Sequence, residues 1–180
     1  MTPERDFEFF QEGLRSYMDA MLALGQFRQE VQQKAEGVLR RNLQELGQAL
    51  QVPLEGAGQI LYVNPSNPSN FNGTFTWITT RLEVQQFRYI LFGLLWLETE
   101  GNITLFVTGG FWFSNRRVRD KARQAFGGDS ALWDDYEGLY LRERLTPEEA
   151  ASFETKLDDV VKKWIELWRR VGGLNAVLTE

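Results

Sequence analysis

Cysteine and histidine are both missing from the 180 residues of this chain. Their absence excludes thiol nucleophiles, histidine-centred triads, disulfide frameworks and Cys/His zinc sites. Long hydrophobic runs are missing too. The longest, YILFGLLWL at residues 89–97, is too short to cross a bilayer as a helix. The opening MTPERDFEFF carries acids and a proline where a secretory leader needs basic residues and then an apolar run. A cytoplasmic protein without membrane contact is therefore expected. Nor is there a P-loop, a G-x-G-x-x-G turn, an EF-hand loop or a Glu-x-Lys pair after a strand, so no catalytic residue, metal site or cofactor is assigned.

The remaining composition is that of a folded domain. Hydrophobic residues make up 43% and charged residues 25%, which lies in the globular range. The length suits one core, so residues 1–180 are read as a single α+β domain. The formal net charge of −5 and a pI near 5.0 run against an autonomous nucleic-acid binder.

Periodicity divides the chain into segments. Residues 4–51 read as helix, because Phe10, Leu14, Tyr17, Met21, Leu24, Phe27 and Val31 recur at spacings of three and four. One unbroken helix of that length would be about 70 Å long, against a radius of gyration of about 16 Å for a compact domain of this size. A break at Gly25, giving a helical hairpin or a kink, is the expectation, with an extended dimerising arm as the alternative. Residues 59–113 read as an antiparallel meander, with strands at 60–63, 74–84, 87–97 and 103–113. The third is apolar on both faces apart from Arg88, as a central strand should be. The segment NPSNPSNFNG at 64–73 is an uncharged turn-forming loop.

A basic helix follows at 114–127, capped by Ser114 or Asn115 and stopped by Gly127 and Gly128. Residues 139–145 suit a last strand, which makes four or five in all. Thr146-Pro147-Glu148-Glu149 is a strong start for a C-terminal amphipathic helix at 147–171 packed on the sheet.

Charge is concentrated in one place. Segment 114–128 holds five bases and one acid, whereas 129–145 holds two bases and five acids. The expected buried stripe of that basic helix is Val118, Ala122, Ala125 and Phe126, which would leave Arg116, Arg117, Arg119, Lys121 and Arg123 fanned across the exposed side. Positive charge in a first helical turn is disfavoured by the macrodipole, so an anion should compensate it. The favoured one is internal, from Asp129, Asp134, Asp135 and Glu137, and the alternative is a phosphate, a nucleic acid or an acidic partner. Asp134, Asp135 and Glu137 match no ligand spacing and are read as a loop surface.

Aromatics are plentiful, with 13 Phe, 6 Trp and 5 Tyr, and most fall on core positions. Phe71, Trp77 and Trp112 are the ones assigned to a recognition surface. The leading functional expectation is a non-catalytic protein that binds a protein partner, or a second copy of itself, through its apolar helical stripe and aromatic sheet surface. Nucleic-acid or phosphate binding through residues 116–123 is the alternative, and a carboxylate- and metal-dependent phosphodiester hydrolase comes third.

Overall fold

In a computed structural model, the structure describes residues 3–54, 60–62, 75–84, 87–99, 102–127, 131–135 and 137–179. The Asn/Pro/Ser segment with Phe71, the turn at 100–101, Gly128 and Asp129 lie outside the described residues, as does the side chain of Trp77.

Helix α1 runs without interruption from Pro3–Leu50. The expected break at Gly25 is absent, and so is the hairpin. A helical glycine costs only about 1 kcal/mol relative to alanine, and Gly25 has no packed neighbour that would profit from a bend. The compactness estimate failed because only the second half of α1 belongs to the core. The helix ends where Gln51 turns left-handed, and the Val52 N–H reaches back to the Gly47 carbonyl at 3.0 Å.

Among the described residues, six strands form one antiparallel sheet in the order β1-β2-β3-β4-β6-β5. They are β1 (Ile60–Tyr62), β2 (Phe75–Val84), β3 (Phe87–Thr99), β4 (Asn102–Phe113), β5 (Leu132–Asp135) and β6 (Gly138–Leu145). Strand β5 was not expected, because LWDD is short and acidic and has no alternation to reveal it. It forms a hairpin with β6, and Trp133 pairs with Tyr140 in register. The inner position of β3 is as its two-faced apolar pattern requires, since Ile90, Leu91, Phe92, Leu94 and Leu95 are all buried.

After β4 comes α2 (Arg116–Ala125), with the Asn115 side chain accepting the Val118 N–H at its start. The start at Thr146 is a 3₁₀ turn, Pro147–Ser152, that passes into α3 (Phe153–Val171). There the Glu149 carboxylate accepts the Thr146 backbone N–H at 3.0 Å, and this bond holds its pKa below the ordinary value. Gly172 ends α3 in the left-handed conformation, and a short α4 (Leu174–Thr179) follows.

The core lies between the sheet on one side and α3 with the second half of α1 on the other. Trp164 and Trp168 of α3 meet the Phe111 ring at 4.8 and 5.3 Å, and Phe126 meets Trp168 at 4.9 Å. Edge-on geometry of this kind adds to the burial of large rings. Polar pins fasten α1 to the rest: Gln32 donates to the Thr79 carbonyl at 3.3 Å, Lys34 meets Glu154 at 3.1 Å, and Arg169 meets Glu45 at 2.7 Å.

Asp158 of α3 adds a further pin to α1, and this one is pH-dependent. It pairs with Lys162 at 2.6 Å and accepts from the buried Asn42 amide at 2.7 Å. The hydrogen bond from Lys162 and then that from Asn42 favour the carboxylate and depress its pKa. A depressed carboxylate stabilises the fold fully above its unfolded value, about 3.9, and this contribution is lost as pH falls through the folded value. Asp158→Ala is expected to cost about 1–2 kcal/mol at neutral pH. In urea titrations the gap between parent and variant should close below about pH 4. A gap that stays constant down to acid pH would show that the carboxylate does not carry it.

Candidate functional site

The two halves of α1 have different surroundings. From Val31 onward the helix is buried on one side, with Val31 5% exposed and Ala35, Val38, Leu39 and Leu46 at 0%. Before Arg28 it projects beyond the sheet as an arm, and its large apolar side chains face solvent. Phe7 is 67% exposed, Phe9 80% and Phe10 68%. Leu14, Tyr17, Met18, Met21, Leu22 and Phe27 are also exposed.

At 3.6 residues per turn, all of these except Phe9 and Phe27 fall, together with Leu24, within one sector of about 160°. That sector continues the face buried in the core from Val31 onward. The stripe is thus one continuous feature, covered by α3 and the sheet over its second half and bare over its first. With aromatic side chains able to bury 150–250 Å² each, the bare part offers on the order of 1,000 Å². This exceeds the apolar patch of an ordinary monomer surface, a few hundred Å². The opposite side is polar, with Glu8, Glu12, Arg15 and Asp19.

The basic helix is placed differently from its sequence pattern. Arg119 is 5% exposed, and it pairs with Asp134 at 2.7 Å and Asp120 at 3.0 Å. Arg123 reaches the same Asp134 at 3.1 Å, and Lys121 donates to the Leu178 carbonyl at 3.1 Å. The five cations therefore do not share one exposed side. Arg119 turns inward because β5, unseen in the sequence, brings Asp134 against α2. Arg116 and Arg117, in the first turn, remain exposed.

At the far end of the sheet, Trp112 is half-buried and donates from Nε1 to Glu137 at 3.0 Å, and Arg88 approaches the same carboxylate at 3.4 Å. Tyr140 lies against both Trp112 and Trp133, with ring centroids 6.5 and 5.5 Å apart. The Arg142 guanidinium sits 5.0 Å from the ring centres of both Phe106 and Trp133, a cation–π arrangement that caps these rings. Trp77 stands opposite Leu95 in register, and Phe71 lies outside the described residues. Of the three aromatic residues assigned to a recognition surface, Trp112 is therefore the one whose side chain is described.

Two carboxylates of the third expectation, Asp134 and Glu137, are engaged separately, and the side chain of Asp135 lies outside the described residues. Asp134 holds Arg119 and Arg123, and Glu137 holds Trp112 and Arg88. A cleft of about 580 Å³ opens between α2, the end of α3 and α4. Its one charged lining residue, Arg170, donates to the Phe126 carbonyl at 2.9 Å. Among the described residues, no helix is long and apolar enough to cross a membrane.

Comparison with protein-family models, with curated proteins and with solved structures finds no match to this chain. The surfaces are therefore read from their own chemistry. Sequence reasoning found the stripe but not that its first half is bare, and it passed over Phe7, Phe9, Met18 and Leu22. The available signal was that these extra residues widen the apolar side of a polar helix.

Proposed function

We propose that this chain is a non-catalytic interaction protein that engages a protein partner through the projecting arm of α1. The observation that carries this reading is the run of nine large exposed side chains between Phe7 and Phe27, on one helix whose continuation is core. Left in water, such a surface keeps about 25 cal/mol per Å² of unrealised burial free energy. A partner that covers it recovers part of that, after the cost of association. The polar side carries acids as well as Arg15, whereas helices that lie on membranes usually have a Lys/Arg-rich polar face. A protein surface is the better match.

The reading is tested by placing a photo-crosslinking residue at position 14 in the producing cell, with exposed Glu166 of α3 as the control position. Position 14 is expected to give a discrete protein adduct and position 166 none. Failure of position 14 to capture any protein would remove the proposal.

Nucleic-acid or phosphate binding through α2 has weaker support. Arg119 and Arg123 are committed to Asp134, which leaves Arg116 and Arg117 as its exposed cations. A salt-dependent shift with oligonucleotides is the observation that would favour it.

A further inference from the structure

We infer that the partner of the arm is a second copy of this chain, with the two arms paired antiparallel across a twofold axis near residue 19. The inference rests on the proposed use of the arm and names its occupant.

Three observations support it. The first is the spacing. Phe7, Leu14 and Met21 alternate with Phe10, Tyr17 and Leu24 at steps of three and four, the a and d positions of a heptad. In an antiparallel pair an a position of one helix faces a d position of the other. Setting Leu14 against Leu24 of the second copy also sets Met21 against Tyr17, and brings Phe10 and Phe7 level with Arg28 and Val31, where that copy's own core begins. This register pairs bare surface with bare surface from Leu14 to Leu24 and ends where the core begins. It brings no charge into the seam before Arg28, which is itself 8% exposed.

The second observation is area. About 1,000 Å² per arm matches what each side of a standard protein interface buries, roughly 800 Å². The sectors are also self-complementary, as a twofold interface requires.

The third is charge. Residues 4–12 carry four acids and one base, whereas residues 26–34, which lie beside them in this register, carry two bases and one acid. Antiparallel pairing sets the acidic tip of each arm beside the basic root of the other. Parallel pairing would put the two acidic tips together, which is unfavourable.

The absence of cysteine makes a direct test available. Met18→Cys places a thiol near the axis, whereas Phe7→Cys places the two thiols at opposite ends of the paired arms, about 36 Å apart. At about 10 µM the full chain is expected to sediment as a dimer. Mild oxidation should link the Met18→Cys protein to itself and leave the Phe7→Cys protein unlinked. Leu14→Glu with Met21→Glu should weaken the dimer by more than about 100-fold while leaving the circular dichroism and melting temperature of the domain unchanged.

Linking at both positions would overturn the antiparallel arrangement, and a dimer that survives the double substitution would overturn the arm as its interface. A monomer throughout, or one that binds phosphatidylcholine vesicles through the arm, overturns self-pairing. The position-14 crosslink then separates the two readings: an adduct with a different protein leaves the proposed function standing, and no protein adduct removes it too.

Discussion

Gly109→Ala is expected to destabilise the protein by about 3 kcal/mol or more, enough to leave a marginal domain largely unfolded. Gly109 lies on β4 between Phe92 of β3 and Leu141 of β6. A Cβ there would come 2.0 Å from Cδ1 of Phe92 and 3.1 Å from Cγ1 of Val160. Phe92 is fully buried, so its ring has no solvent-side space to move into. The backbone of β4 cannot retreat without cost either. The Gly109 carbonyl accepts the indole N–H of Trp164 at 2.8 Å, and losing that bond leaves a buried donor unsatisfied, at about 1–3 kcal/mol.

Equilibrium unfolding in urea is the measurement. Gly13→Ala is the control, since nothing lies within 4 Å of its added Cβ. Combining Gly109→Ala with Phe92→Ala should recover part of the loss, giving a coupling energy outside additive error. A Gly109→Ala protein within 1 kcal/mol of the parent, in this order-of-magnitude accounting, would mean that the sheet and α3 are less tightly joined than described.

Asp134→Ala carries the second large expectation. Arg119 is 5% exposed and holds Asp134 at 2.7 Å. Removing one partner of a fully buried ion pair costs about 3–5 kcal/mol, because the remaining charge is left uncompensated. Asp134 is itself 42% exposed, and Asp120 stays within 3.0 Å of the guanidinium. Solvent and the second carboxylate reduce the expected loss to about 1–3 kcal/mol. Replacing Arg119 with Met in the same chain should restore most of it, since an apolar side chain of similar length leaves no charge unpaired. Thermal unfolding of the single and double variants decides between structure and ligand binding. If Asp134→Ala instead leaves stability unchanged and raises affinity for polyanions, Arg119 belongs to a binding surface.

Helices and strands were largely legible in the sequence because their signals are local. Alternation from Thr76 to Val84, the two-faced apolar run after Phe87, the Asn115 cap and the Thr146-Pro147 start each act within a few residues. The structure places β2, β3, α2 and the 3₁₀ entry to α3 at those positions. Strand β5 escaped because LWDD takes its structure from pairing with β6, a contact between strands that its own four residues do not encode. The inward turn of Arg119 was hidden for the same reason, since it depends on where β5 delivers Asp134.

The candidate site divides along the same line. The periodic stripe of α1, the acidic composition and the zeros for cysteine and histidine are properties of the chain in any conformation. They set aside thiol and imidazole chemistry and provided a helical face in need of cover. Which half of that face found cover was a matter of reach. Helix α1 is about 72 Å long at 1.5 Å per residue, and α3 and the sheet bury it only from Val31 onward. Residues 7–27 carry the same pattern as the buried half and differ from it only in lying past the edge of the core. Hydrophobic spacing specifies a face to be buried, and only the tertiary structure decides whether the chain itself supplies the surface that buries it.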